Sequence, residues 1–139
     1  MREDFLPLGK LKGEYLERFL KNLSQPDPRV VIGPKLGEDA AVIDFGDRYL
    51  VAASDPVTFA TEEIGWYALN VNANDVAAMG AKPRWFLATI LLPENKTTLH
   101  LVDDIFNQLR LAGKELGIAI VGGHTEITRG IEHPIIVGA

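Results

Sequence analysis

Asp39, Asp55 and Asp75 are the side chains of this sequence best placed to do chemistry. Asp39 ends the turn-like run Gly33-Pro34-Lys35-Leu36-Gly37-Glu38-Asp39, just before a β-rich segment. Asp55 follows a second β-rich segment in Ser54-Asp55-Pro56. Asp75 lies in Asn70–Pro83, the second half of a helix stopped by Gly80 and sealed by Pro83. At about 100° per residue, Ile64, Ala68, Val71, Ala78 and Met79 share one arc, and Asp75 falls in its middle. A carboxylate there is costly to bury without a partner, and the C-terminal half of a helix disfavours negative charge. A metal ion, a ring of backbone donors or a subunit interface could offset both costs.

Asp39 and Asp55 flank a hairpin, so both can approach one end of a sheet. Clustered carboxylates in a chain with no cysteine favour magnesium, manganese or calcium over zinc. Magnesium takes one or two carboxylates plus waters and substrate phosphates. An acidic cluster can face a triphosphate only with such ions between them. Blander roles exist: Asp39 as a turn or cap residue, Asp55 as a turn acceptor, Gly122-Gly123 as a strand-to-loop exit. His124 reads as a hydrogen-bonding loop residue, since no second histidine has ligand spacing. A P-loop and a Gly-x-Gly-x-x-Gly fingerprint are both missing, and no general base can be named.

The elements that must position these residues follow from the hydrophobic pattern. Gly13–Leu23 reads as a helix ended by Pro26 and Pro28. Before it, Leu8-Gly9-Lys10-Leu11-Lys12-Gly13 reads as a mobile arm or as a loop that closes on phosphates. Val30–Ile32 is a short strand; Ala40–Asp44 and Tyr49–Ser54 form a hairpin. Pro56 should stop the second hairpin strand. Thr61 caps a helix running to about Met79, and Pro83–Leu92 is a buried strand. Thr98 caps the next helix, whose apolar face is Val102, Ile105, Phe106, Leu109, Ala112 and Leu116, and Gly117 ends it. Ile118–Val121 is a strand parallel to 84–92, followed by a loop, Gly122–Glu126, and a last strand over 134–137. The fold class expected is α+β, a two-layer mixed sheet with helices on one face. A second copy or further chain could cover the bare face.

At 139 residues the chain can bury one core. A net charge of −5 argues against nucleic acid as the main partner. No apolar run is long enough to span a membrane, no signal peptide is recognisable, and the lack of cysteine fits the cytoplasm.

Four segments occur in order: Gly37-Glu38-Asp39-Ala40-Ala41-Val42, Ser54-Asp55-Pro56, Asn74-Asp75-Val76-Ala77-Ala78-Met79-Gly80-Ala81-Lys82-Pro83 and Gly122-Gly123-His124-Thr125-Glu126. Together they resemble the N-terminal domain of the aminoimidazole ribonucleotide (AIR) synthase superfamily, across residues 9–139. That group includes AIR synthase, selenophosphate synthetase, thiamine-monophosphate kinase, formylglycinamidine ribonucleotide synthetase and the hydrogenase maturation protein HypE. The resemblance implies a PurM N-terminal-domain-like unit over 13–139 behind a mobile arm, 1–12, with the family's C-terminal domain absent. It implies a homodimer paired through the sheet and ATP held by Mg2+. Asp39, Asp55 and Asp75 would be the metal ligands. Asn72, Asn74, Gly122, Gly123, Thr125 and Lys10 would contact the nucleotide or its phosphates.

The chemistry implied is ATP-dependent phosphoryl transfer to a small substrate, often at an amide or carbonyl oxygen. The Gly-Ala-Lys-Pro and Gly-Gly-His-Thr-Glu forms look most like HypE, which would bring hydrogenase maturation proteins as partners. Two alternatives stand beside it: a non-catalytic dimerisation module, and a thiamine-monophosphate-kinase-like enzyme. The latter tends to carry an acidic residue where His124 stands.

Overall fold

A hairpin and a passage of the chain from one sheet to another set the architecture. The computed structural model describes residues 5–23, 27–60 and 62–139. Helix α1 (Gly13–Leu20) precedes strands β1 (Val30–Ile32), β2 (Ala41–Asp44) and β3 (Tyr49–Ala52), which form a three-stranded antiparallel sheet in the order β1-β2-β3. After Ala53 and Ser54 the chain changes sheets. β4 (Asp55–Val57), β5 (Trp85–Pro93), β6 (Ala119–Thr128) and β7 (Ile135–Gly138) make a mixed sheet ordered β4-β7-β5-β6. Helices α2 (Ile64–Ala78) and α3 (Leu99–Leu116) complete the chain.

Alternation along β5 explains the layering. Phe86, Ala88, Ile90 and Leu92 are buried against Ile64, Ala68 and Leu69 of α2 and Ile105, Leu109 and Ala112 of α3. Trp85 and Leu87 lie on the opposite face and stay exposed. That two-layer, one-sided α+β arrangement is the expected one. The parallel β5–β6 pairing and the β2–β3 hairpin are also as read from the sequence. So are both ends of α3: Thr98 Oγ1 accepts from Leu101 N–H at 3.2 Å, and Gly117 is left-handed at φ 67°.

Four expectations need correcting. Pro56 does not end a strand but lies inside β4; it is tolerated because β4 pairs only with β7 and is a sheet edge. Gly122–Glu126 is not a loop: it is paired with Leu87–Leu91 inside β6. The run of small and polar residues hid a strand held by its neighbour rather than by its own side chains. Helix α2 begins at Ile64 after a left-handed Glu63, and Thr61 lies outside the described residues, as does Pro26. The buried stripe of α2 is Ile64, Gly65, Ala68, Leu69 and Asn72, whereas Ala78 is exposed and Val71 and Met79 are half-buried. Asp75 therefore sits at the end of the buried stripe and not at its centre. Among the described residues no helix is long and apolar enough to cross a membrane.

Candidate functional site

The joint between the two sheets gathers the acidic residues. Asp39 is exposed in the loop that enters β2, beside the buried Ala40. Asp55 is the first residue of β4, half-buried and opposite Gly138 of β7. Asp75 is half-buried on α2, three residues after Asn72, and so on the same helical side.

Asn72 fixes this geometry. It is 4% exposed, and its amide is spent on protein partners. Its Oδ1 accepts from Asp55 N–H at 2.9 Å, and its Nδ2 donates to Asp55 C=O at 3.2 Å and to Ala68 C=O at 2.8 Å. Asn72, expected at the nucleotide, acts here as an anchor: it ties β4 to α2 and so places the residue that carries the Asp55 carboxyl. Ser54 adds a second tie, its Oγ donating to Gly138 C=O at 2.8 Å. The sequence marked Asn72 only as a neighbour of Asp75 and Ser54 only as part of the Ser54-Asp55-Pro56 segment; neither tie was readable there.

The Asp75 carboxyl is raised above its ordinary pKa. Desolvation by burial is the largest cause, followed by a side-chain hydrogen bond with Asp55 and repulsion from Asp55 and Asp39. The positive charge of Lys10 opposes these. Asp39, Asp55 and Asp75 therefore share one electrostatic site, and Lys10 reaches it from the N-terminal segment. Among the described residues no three Asp, Glu or His side chains are gathered tightly enough to hold a metal ion by themselves. Two apposed carboxylates with a third nearby fit an ion that completes its shell with water and phosphate oxygens.

Asn74 is exposed beside this cluster. Gly122, Gly123 and Thr125 are not there. They stand on β6, the opposite edge of the sheet from β4. Three strand spacings separate the edges, about 14 Å. Gly123 is nonetheless obligatory where it is. Its φ is +149°, and a Cβ would come within 1.9 Å of Ala88 O. A bulge between Phe86 and Leu87 accompanies this close approach. His124 pairs with Glu126 at 2.9 Å along the same strand.

A family profile, AIR synthase related protein, N-terminal domain, matches residues 37–139. A Methanocaldococcus jannaschii protein provisionally named for hydrogenase expression and formation is 31% identical over 134 residues, 92% of this chain and 40% of its own length. A thiamine-monophosphate kinase of Archaeoglobus fulgidus is 32% identical over 106 residues, 70% of this chain and 34% of its own. The chain thus spans about two fifths or less of these relatives. The crystal structure of a HypE–HypF complex superimposes with a TM-score of 0.68 at 25% identity, covering 88% of this chain and 39% of the other. With three quarters of its sequence matched, this chain belongs to the AIR synthase related proteins, and what it contributes is their N-terminal domain.

Proposed function

We propose that the chain is the Mg–ATP-binding domain of an AIR-synthase-like enzyme that transfers a phosphoryl group to a small substrate, at a carbonyl or amide oxygen in a HypE-like role. The observation that carries this is the meeting of Asp39, Asp55 and Asp75 with Lys10 at the sheet joint. The cost of ionising Asp75 beside Asp55 is offset once a divalent cation lies between them. Bound there, Mg2+ would neutralise phosphate charge and fix its geometry, which is most of what phosphoryl transfer requires of a protein. Asp55 and Asp75 would hold it, with Asp39 toward its waters. Asn72 keeps Asp55 in place, and Lys10 supplies the cation from the arm. Kinship to a kinase supports the reaction class; kinship to the hydrogenase-related protein supports the HypE-like role, with hydrogenase maturation proteins as partners in the cytoplasm.

Asn74 fits this reading within one chain, and Gly122, Gly123 and Thr125 fit it through a homodimer. β6 is an edge strand exposed along almost its whole length, and Trp85 (64%) and Leu87 (47%) lie open on the bare sheet face. A second copy pairing there would bring its β6 toward the first copy's acidic site. The same exposed face is what a non-catalytic dimerisation module would use. Calorimetry separates the two: Mg–ATP binds the chain, and Asp55→Ala/Asp75→Ala abolishes binding while leaving a dimer by sedimentation. Equal affinity in the double variant defeats the nucleotide reading.

A further inference from the structure

The bare face of the larger sheet is uncharged except at one pair. β6 registers His124 against Thr89 of β5, and Glu126 against Leu91. On the other side of β5, Val137 and Ile135 of β7 lie opposite the same two residues. Residues side by side in register share a face of a sheet. His124 and Glu126 therefore stand in a row with Thr89, Leu91, Val137 and Ile135. Among the described residues of the four strands, no other titratable side chain falls on this face. We infer that the pair makes the association of two copies through this face pH-dependent: the dimer takes up a proton at each His124 and is tighter at pH 6 than at pH 8. This rests on the homodimer of the proposed function, not on its nucleotide.

In the single copy the pair counts for little. His124 Nε2 and Glu126 Oε2 lie 2.9 Å apart, and the two side chains are 61% and 46% exposed. Water screens an exposed pair of this kind. A second copy laid over the face removes that water. Glu126 then has only His124 to answer its charge. Helices α2 and α3 pack on the opposite face of the sheet. Just past β6, Arg129 pairs with Glu94 at 3.3 Å. The second copy presents the same face, so what it brings is its own His124 and Glu126.

The sign follows. With His124 neutral, each copy covers an uncompensated carboxylate, which is costly. With His124 protonated, each copy covers a pair of no net charge. The covered state favours the protonated imidazole, so by linkage protonation favours the covered state. Histidine is the side chain whose charge ordinarily changes between pH 5 and 8, which sets the interval. Glu126 is the source of the effect. Without its charge, desolvation alone would favour the neutral imidazole and reverse the preference.

Sedimentation equilibrium at pH 6 and pH 8, in about 0.15 M salt and without nucleotide, tests this on the 139-residue chain. The dimer dissociation constant should be at least about tenfold lower at pH 6. His124→Gln should vary less than about threefold, the residue of a net charge of −5 on each copy. Glu126→Gln should dimerise more tightly at pH 8. Both side chains are exposed in the single copy, so neither substitution should disturb its fold. A smaller change in the parent, an equal change in His124→Gln, or a Glu126→Gln dimer that still tightens at pH 6 overturns the inference alone. A parent that stays monomeric at both pH values overturns the homodimer with it.

Discussion

The Asn72 side chain grips both backbone polar groups of Asp55, across a gap of 17 positions in sequence. One buried amide thereby couples the helix that carries Asp75 to the strand that carries Asp55. Its third bond, back to Ala68 C=O, leaves it no spare donor.

Asn72→Ala should cost about 2–4 kcal/mol, since it strands the N–H and C=O of Asp55 away from a partner. Asn72→Asp should be as damaging, because it removes the donors and sets a fourth carboxylate beside Asp39, Asp55 and Asp75. Urea denaturation measures both. A loss below about 1 kcal/mol would mean that water replaces the amide.

Asp75 gives a pH signature. Its folded pKa is raised, so its contribution to stability is fully present below the unfolded value of about 3.8 and is lost as pH rises through the folded value. Asp75→Asn removes that penalty. The variant should be the more stable protein at pH 7 without divalent cations, by about 0.5–1 kcal/mol once solvent screening of a half-exposed group is allowed for. The gap should close toward pH 3.5. Thermal midpoints across this range provide the check, and a variant less stable at pH 7 would refute the account.

Neighbouring glycines should behave differently. Gly123→Ala drives a Cβ into Ala88 O at a backbone angle that L-residues avoid, and should cost at least about 3 kcal/mol or prevent folding. Gly122→Ala meets only the flexible Leu87 Cδ2 at 3.3 Å and should cost under about 1 kcal/mol. Comparable losses in the two variants, by denaturant titration, would contradict the bulged register.

Gly65→Ala sets two effects against each other. Alanine gains about 1 kcal/mol in helix propensity. Its Cβ would lie 2.8 Å from Ile105 O and 2.9 Å from Gln108 Cβ, where α2 and α3 touch. It would also strain the bond from Gly65 N–H to Gln108 Oε1. Overpacking costs about 1–3 kcal/mol, so a net destabilisation is expected. A raised thermal midpoint would show that the helices separate freely.

Elements whose boundaries depend on local chemistry were legible in the sequence. Thr98 and Gly117 mark α3 because capping acts within a few residues. The Phe45–Arg48 turn marks the hairpin for the same reason. The sheet exchange at Ala53–Ser54 was not legible, since nothing local distinguishes a strand that continues from one that changes partners. Nor was the strand character of Gly122–Glu126, which is imposed by β5. At the site, Asp75 drew notice as a charge on an apolar stripe, yet among the described residues the buried polar side chain is Asn72, one turn earlier. Hydropathy flags the more costly charge, whereas burial goes to the side chain that can satisfy every bond it has.

The three-stranded sheet contributes nothing to the main hydrophobic cluster, which is drawn from α2, α3, β5, Ile118 and Ile136. The molecule therefore holds two units of unequal durability. The lesser one, α1 with β1–β3, carries Asp39, with Lys10 just ahead of it; the greater one carries Asp55 and Asp75. Transient opening of the lesser unit would leave a pair of carboxylates standing without their neighbours. Amides of β1–β3 should then exchange faster than those of β5. Any ligand that spans the joint should slow them, so that occupancy of the site is read out as endurance of the small sheet.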